Sequence, residues 1–295
     1  MESEKVHGTG NFVPGSVCIV DYNAAHNNLL VRGSSAFGAG NFTMAAFTKA
    51  IKGDKNYSST GITLADNPMI VDFCLIGYGP PNHKDHRIVK AEAEWFNSTN
   101  PPALNGCSGP YPTCFSSTTG TNAMVYWPIL SIGGTPPTTA GGSWSLAAAV
   151  DQSITSGSDS TGYDYAELVP AISSALNNQP SKVPNFPSSI TQIRDAVIYV
   201  HCDSGVNRTG AAVIGYLMQY GSNISALGIA PPSAGSCNTL NAAQTAARVN
   251  PPSNDVPPGG TDQAVPEAYC NLLNTKSATS PLASQCVPLA GTIGA

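Results

Sequence analysis

Ala196-Val197-Ile198-Tyr199-Val200, then His201-Cys202-Asp203-Ser204-Gly205-Val206-Asn207-Arg208-Thr209-Gly210, then a run to Tyr220, is the stretch that decides the fold. Its first five residues are short, apolar and β-branched, which predicts a buried strand. From Arg208 to Tyr220 apolar side chains recur at Ala212, Val213, Tyr216, Leu217 and Tyr220, a helical spacing that stops at Gly221. The loop between them therefore ends at a helix N-terminus, where free N–H groups and the positive end of the dipole favour an anion. A cysteine facing such a terminus and a cation is predicted to be a thiolate. N–H groups from Asp203 to Arg208 can form a nest around phosphate oxygens. Arg208 adds a planar clamp that tightens as charge develops, and Thr209 places a hydroxyl near the sulfur. The candidate phosphate-binding residues are thus Asp203, Ser204, Gly205, Val206, Asn207 and Arg208.

This segment resembles the signature loop of the cysteine-dependent protein tyrosine and dual-specificity phosphatases: His-Cys, five residues, Arg, Ser/Thr, Gly. The resemblance implies a phosphatase-like α/β domain without cofactor or metal. It makes Cys202 the nucleophile that becomes phosphocysteine, Arg208 the phosphate and transition-state ligand, and Thr209 the aid to hydrolysis. It also implies an upstream aspartic acid that protonates the leaving oxygen. Asp159, in Asp159-Ser160-Thr161-Gly162-Tyr163-Asp164, is the first candidate because its offset to Leu168 and Ile172 resembles the family's loop-helix pattern. Asp164 reads more as a first-turn carboxylate, and Asp151 is a third choice. The family's Trp-Pro pair does not precede Asp159; Trp127-Pro128 lies too far upstream.

Length and composition bound the rest. The 295 residues suit one elaborated domain, and 41% hydrophobic residues suffice for its core. Charged residues are only 11%, while 29 Gly and 24 Pro indicate long, neutral, turn-rich loops. A net charge of -5 with 13 basic residues argues against a large nucleic-acid or membrane footprint. It suits a phosphorylated protein or small phosphoester as partner, or a subunit of a larger assembly. No leader-like segment opens the chain and no run is long enough to span a bilayer. Of eight cysteines, at 18, 74, 107, 114, 202, 237, 270 and 286, a reactive Cys202 must stay reduced, which favours the cytoplasm. Cys107 and Cys114, which lack a zinc spacing, are read as structural or free, or as a disulfide in an exported protein.

Outward from the central stretch, 16–20, 29–32, 69–76 and 123–127 read as strands, the third apolar on both faces. Helical patterns cover 44–51, 165–176 (with Pro170 a kink or a start), 224–229, 241–249 and 266–273. The expected fold is α/β: a central mixed sheet flanked by helices, with Pro/Gly/Ser-rich insertions at 100–122, 132–148 and 180–192. A single domain over 16–275 would lie between an extension (1–15) and a tail (276–295). Arg32-Gly33-Ser34 resembles the opening of compact dual-specificity and phytase-like members. His83-Lys84-Asp85-His86 reads as a solvated loop rather than a metal site.

Substrate signals divide. Asp203 beside the nucleophile is expected to raise the thiol pKa somewhat and to repel extra phosphates. Gly205-Val206-Asn207-Arg208-Thr209-Gly210 resembles the RNA 5′-triphosphatase branch, and phytase-like members tolerate an acid at position 203. Phosphoprotein leads, ahead of RNA 5′-phosphates and inositol phosphates. A non-catalytic binding or assembly protein on the same fold is the alternative of another class.

Overall fold

Apolar, β-branched runs become strands, and their order brings one loop to the centre of the molecule. The computed structural model describes residues 11–76, 84–96, 118–119, 122–127, 165–184, 186–205, 207–220, 243, 261–276 and 286. Within these, β1 (Cys18–Asn23), β2 (Asn28–Ser34), β3 (Met69–Cys74), β4 (Thr118–Thr119), β5 (Asn122–Tyr126) and β6 (Ala196–Cys202) form one sheet in the order β1-β2-β6-β3-β5-β4. The inner pairs β2–β6, β6–β3 and β3–β5 are parallel, and the outer pairs β1–β2 and β4–β5 are antiparallel. The sheet is therefore mixed, and the chain is of the α/β class. Every residue of β2, β3 and β6 is buried, as strands covered on both faces require.

Five helices are described: α1 (Met44–Lys52), α2 (Lys84–Phe96), α3 (Tyr165–Leu176), α4 (Asn207–Tyr220) and α5 (Thr261–Lys276). Thr43 caps α1, its hydroxyl accepting from the Ala46 N–H at 3.1 Å. α1 and α2 cover the face of β6 that carries Tyr199. There Phe37, Phe47 and Tyr199 pack edge to face with centroids 5.0–5.6 Å apart, and Phe96 closes on Phe37 at 5.0 Å. α4 lies on the other face with α3 and α5 packed beside it. Buried Asn28 ties three elements: Nδ2 donates to the carbonyls of Leu176 and Ile193, and Oδ1 accepts from the Ala196 N–H. Fully engaged, it meets the requirement on a buried amide.

α3 spans the expected residues with Pro170 inside it, while one element differs from expectation. α2 was not expected, residues 83–86 having read as a solvated loop; its buried stripe is Ile88, Val89, Glu92, Ala93 and Phe96, and the acid in that stripe hides the helical pattern. The expected helices at 224–229 and 241–249 lie, except Ala243, outside the described residues, as do the 132–148 insertion and most of 100–122. On either side of 16–275, Phe12 is buried in the core and Cys286 is disulfide-bonded to Cys270 of α5. Cys18, Cys74 and Cys202 are buried free thiols. No described helix is long and apolar enough to cross a membrane.

One buried acid in β1 yields a pH prediction. Asp21 accepts from the Tyr216 hydroxyl at 2.7 Å and from the Tyr22 N–H at 2.8 Å. Burial raises its pKa, and those two hydrogen bonds offset only part of the rise. A carboxyl raised on folding stabilises below its unfolded pKa and loses that contribution as pH climbs through the folded value. Asp21→Asn should therefore raise stability at pH 7, by less than about 2 kcal/mol since the amide can keep both contacts. The gain should shrink at pH 4. Urea midpoints at the two pH values check this, and a loss at pH 7 greater than at pH 4 contradicts it.

Candidate active site

The C-terminal ends of β2, β6 and β3 meet at one point, with Ser34 opposite Cys202 and Cys74 opposite His201. Sites in open parallel sheets gather there, outside the carboxyl ends of the strands. The chain leaves β6 at Cys202, turns through Asp203, Ser204 and Gly205, and enters α4 at Asn207. The Ser35 N–H donates to the Asp203 carbonyl at 3.0 Å, and Arg32 Nη2 donates to the Gly205 carbonyl at 2.8 Å. Arg32, 1% exposed in β2, thus carries a buried cation beneath the loop.

Gly205 has φ +75°, and a Cβ there would stand 2.3 Å from the Gly33 carbonyl oxygen. Both facts require glycine. Gly205→Ala should cost more than about 2 kcal/mol and displace the loop. A denaturant midpoint within error of the parent would contradict that.

Cys202 is 2% exposed, and its thiol pKa is lowered from the ordinary value. Burial pushes it up; the Arg208 charge, the Thr209 hydroxyl and the N–H groups of Thr209 and Gly205 together pull it down further. Thr209 is fully buried, and its hydroxyl makes no conventional hydrogen bond, so the sulfur is the atom it serves. Arg208 Nη1 donates to the Leu75 carbonyl at 3.3 Å and lies 3.8 Å from Asp85 Oδ2. Asp203 is held by Lys84 Nζ at 2.6 Å. The acid expected to raise the thiol pKa is matched by a lysine, and burial is the leading upward influence on the sulfur. Lys84 and Asp85, expected to be solvated, both reach the loop from the first turn of α2.

Behind the loop, His201 is fully buried, with Nδ1 3.1 Å from the Cys202 carbonyl oxygen. Its Nε2 lies 3.1 Å from Asp72 Oδ1 and 3.6 Å from Glu92 Oε2. Glu92 accepts from the Ser35 hydroxyl at 2.6 Å and the Cys74 thiol at 3.2 Å. Burial opposes charge on His201, but Glu92 and Asp72 outweigh it and hold its pKa well above the usual value. Burial raises Asp72, and it raises Glu92 to about 7.

Of the expected site residues, the structure gathers Cys202, Asp203, Ser204, Gly205, Arg208 and Thr209 in one loop and helix start. Asn207 heads α4, while Val206, Asp159, Asp164 and Asp151 lie outside the described residues. Arg32, Asp72, Lys84, Asp85 and Glu92 were not assigned to the site from sequence. A charged residue inside an apolar strand run, as at Arg32 and Asp72, was the available signal. No family model matches the chain, and neither a curated protein nor a solved structure matches it.

Proposed function

We propose that the chain is a cysteine-dependent phosphatase that hydrolyses phosphomonoesters through a phosphocysteine intermediate. The observation that carries this is a buried thiol of lowered pKa, faced by Arg208, Thr209 and two loop N–H groups at the start of α4. A phosphate above the sulfur would take N–H groups at three equatorial oxygens and the guanidinium across two of them. The thiolate attacks phosphorus as the ester P–O bond breaks, and the leaving oxygen takes a proton from a general acid. Asp159 is assigned that role on its resemblance to the family's loop. Water then attacks phosphorus and gives its proton to the same carboxylate. The S–P bond breaks, and the Thr209 hydroxyl stabilises the departing thiolate.

Phosphoprotein remains the leading substrate. Among the described residues Lys84 is matched by Asp203 at the rim, and Arg208, 3.8 Å from Asp85, is the cation acting on the sulfur, which suits one phosphate group rather than several. For compartment, Cys202 favours a reducing cytoplasm and the Cys270–Cys286 disulfide an oxidising space; they coexist where burial shields Cys202.

The test is phosphate release from a phosphotyrosine peptide, a phosphothreonine peptide, a 5′-triphosphorylated RNA and inositol hexakisphosphate. Release from a phosphopeptide is expected to be fastest. Faster release from the RNA or the inositol phosphate would move the protein to that branch. No release from any of them, with protein folded and reduced, would favour the binding or assembly role.

A further inference from the structure

Cys74 ends β3, Glu92 stands in the buried stripe of α2, and His201 precedes the loop on β6. Their Sγ, carboxylate O and ring N atoms all lie within 4.8 Å of one another, and all three residues are buried. Asp72, two residues before Cys74, brings a second carboxylate to Nε2. We propose that Cys74, Glu92 and His201 bind one zinc-type divalent ion behind the 202–208 loop, with Asp72 as a neighbouring carboxylate beside His201.

Distances carry this first. Zinc bonds to N, O and S run about 2.0–2.3 Å, so tetrahedral ligand atoms stand about 3.3–3.8 Å apart. Here Nε2 is 3.1 Å from Asp72 Oδ1 and 3.6 Å from Glu92 Oε2, and Cys74 Sγ is 3.2 Å from Glu92 Oε2. These three lengths lie within a few tenths of an ångström of that spacing.

Orphaned atoms are the second observation. His201 Nε2 and both oxygens of Asp72 are buried and make no hydrogen bond. Nε2 stands 3.1 Å from Asp72 Oδ1, and Glu92 Oε2 lies beyond hydrogen-bond length at 3.6 Å. Buried polar atoms in native proteins are ordinarily satisfied, and a proton on Nε2 can serve Asp72 Oδ1 but leaves Oδ2 without a partner. An ion between Cys74, Glu92 and His201 would take up the Nε2 lone pair and set a positive charge beside Asp72.

The surroundings match a metal's outer shell. A Nδ1–H facing the Cys202 carbonyl would fix the tautomer that leaves Nε2 as ligand, while the Ser35 hydroxyl holds Glu92 Oε1 and frees Oε2. A thiolate, an imidazole and carboxylates select zinc over magnesium or calcium. On binding, the Cys74 thiol and His201 each release any proton they carry at the ligating atom, and no electron moves. The ion would be structural, pinning β3, α2 and β6 beneath the loop, and the proposal needs no phosphatase activity.

The full chain, unfolded with chelator, would be refolded with Zn²⁺ or Co²⁺ and its bound metal measured after gel filtration. One zinc per chain is expected, resistant to chelator while folded, with a cobalt–thiolate absorption band. Glu92→Gln should lower metal content at least tenfold, and Cys74→Ser should abolish the band. Cys202→Ser, a folding control that keeps all three ligands, should retain both. Less than a tenth of an equivalent in the refolded parent, or metal that chelator strips from the folded chain, overturns the proposal. So does a band lost in Cys202→Ser and kept in Cys74→Ser.

Discussion

Replacing Cys202 by serine should abolish phosphate release, a loss of roughly 10⁴-fold or more, as for removal of other covalent nucleophiles. The hydroxyl occupies the thiol's place among the same N–H groups, so the loop should persist. What is lost is chemical: at neutral pH a serine hydroxyl stays protonated, with no base placed beside it among the described residues, whereas the Cys202 pKa is lowered by Arg208, Thr209 and Gly205 against its burial. Binding of a phosphate ester should survive. Phosphate release at the parent rate would end the nucleophile assignment. Loss of ester binding together with turnover would mean that Cys202 is a binding group as much as a nucleophile.

Arg208→Lys carries the second large effect. Lysine keeps the positive charge beside the sulfur, so the thiol should remain easier to ionise than an ordinary cysteine. The planar fork is lost, and with it the paired hydrogen bonds to a phosphoryl group whose charge spreads in the transition state. A fall in kcat of about 10²–10³ is expected, the cost of removing one well-placed transition-state donor elsewhere. KM should move much less. Steady-state kinetics on a phosphotyrosine peptide separate the two, and a change confined to KM would make Arg208 a ground-state clamp only. The starting geometry fits a guanidinium poised for this, with Nη1 on the Leu75 carbonyl and near Asp85.

Strand, loop and helix around Cys202 were readable because each uses a strong local signal: β-branched apolar residues in β6, Gly205 at the turn, apolar spacing along α4. β2 and β3 were readable for the same reason. α2 was not, because Glu92 sits on its inward stripe, where a local pattern expects an apolar residue; its partners Ser35, Cys74 and His201 come from the segment after β2, the end of β3 and β6. Arg32 and Asp72 were visible as charges within apolar strands. Their reasons, the Gly205 carbonyl above one and Nε2 of His201 beside the other, exist only once β2, β6 and β3 lie side by side. Asp203 shows the converse: local reading set it against the thiol, and a lysine 119 residues away claims it.

The covalent intermediate is the claim on which the enzymatic account stands, and trapping it is the most direct test. The parent protein would be mixed with an aryl phosphate, quenched in acid within the first turnovers, digested and analysed by mass. The account predicts one phosphoryl group on the peptide containing Cys202, accumulating more in Thr209→Ala, where hydrolysis of the intermediate should slow. Phosphate release without any phosphoryl group on Cys202, in either protein, would contradict it.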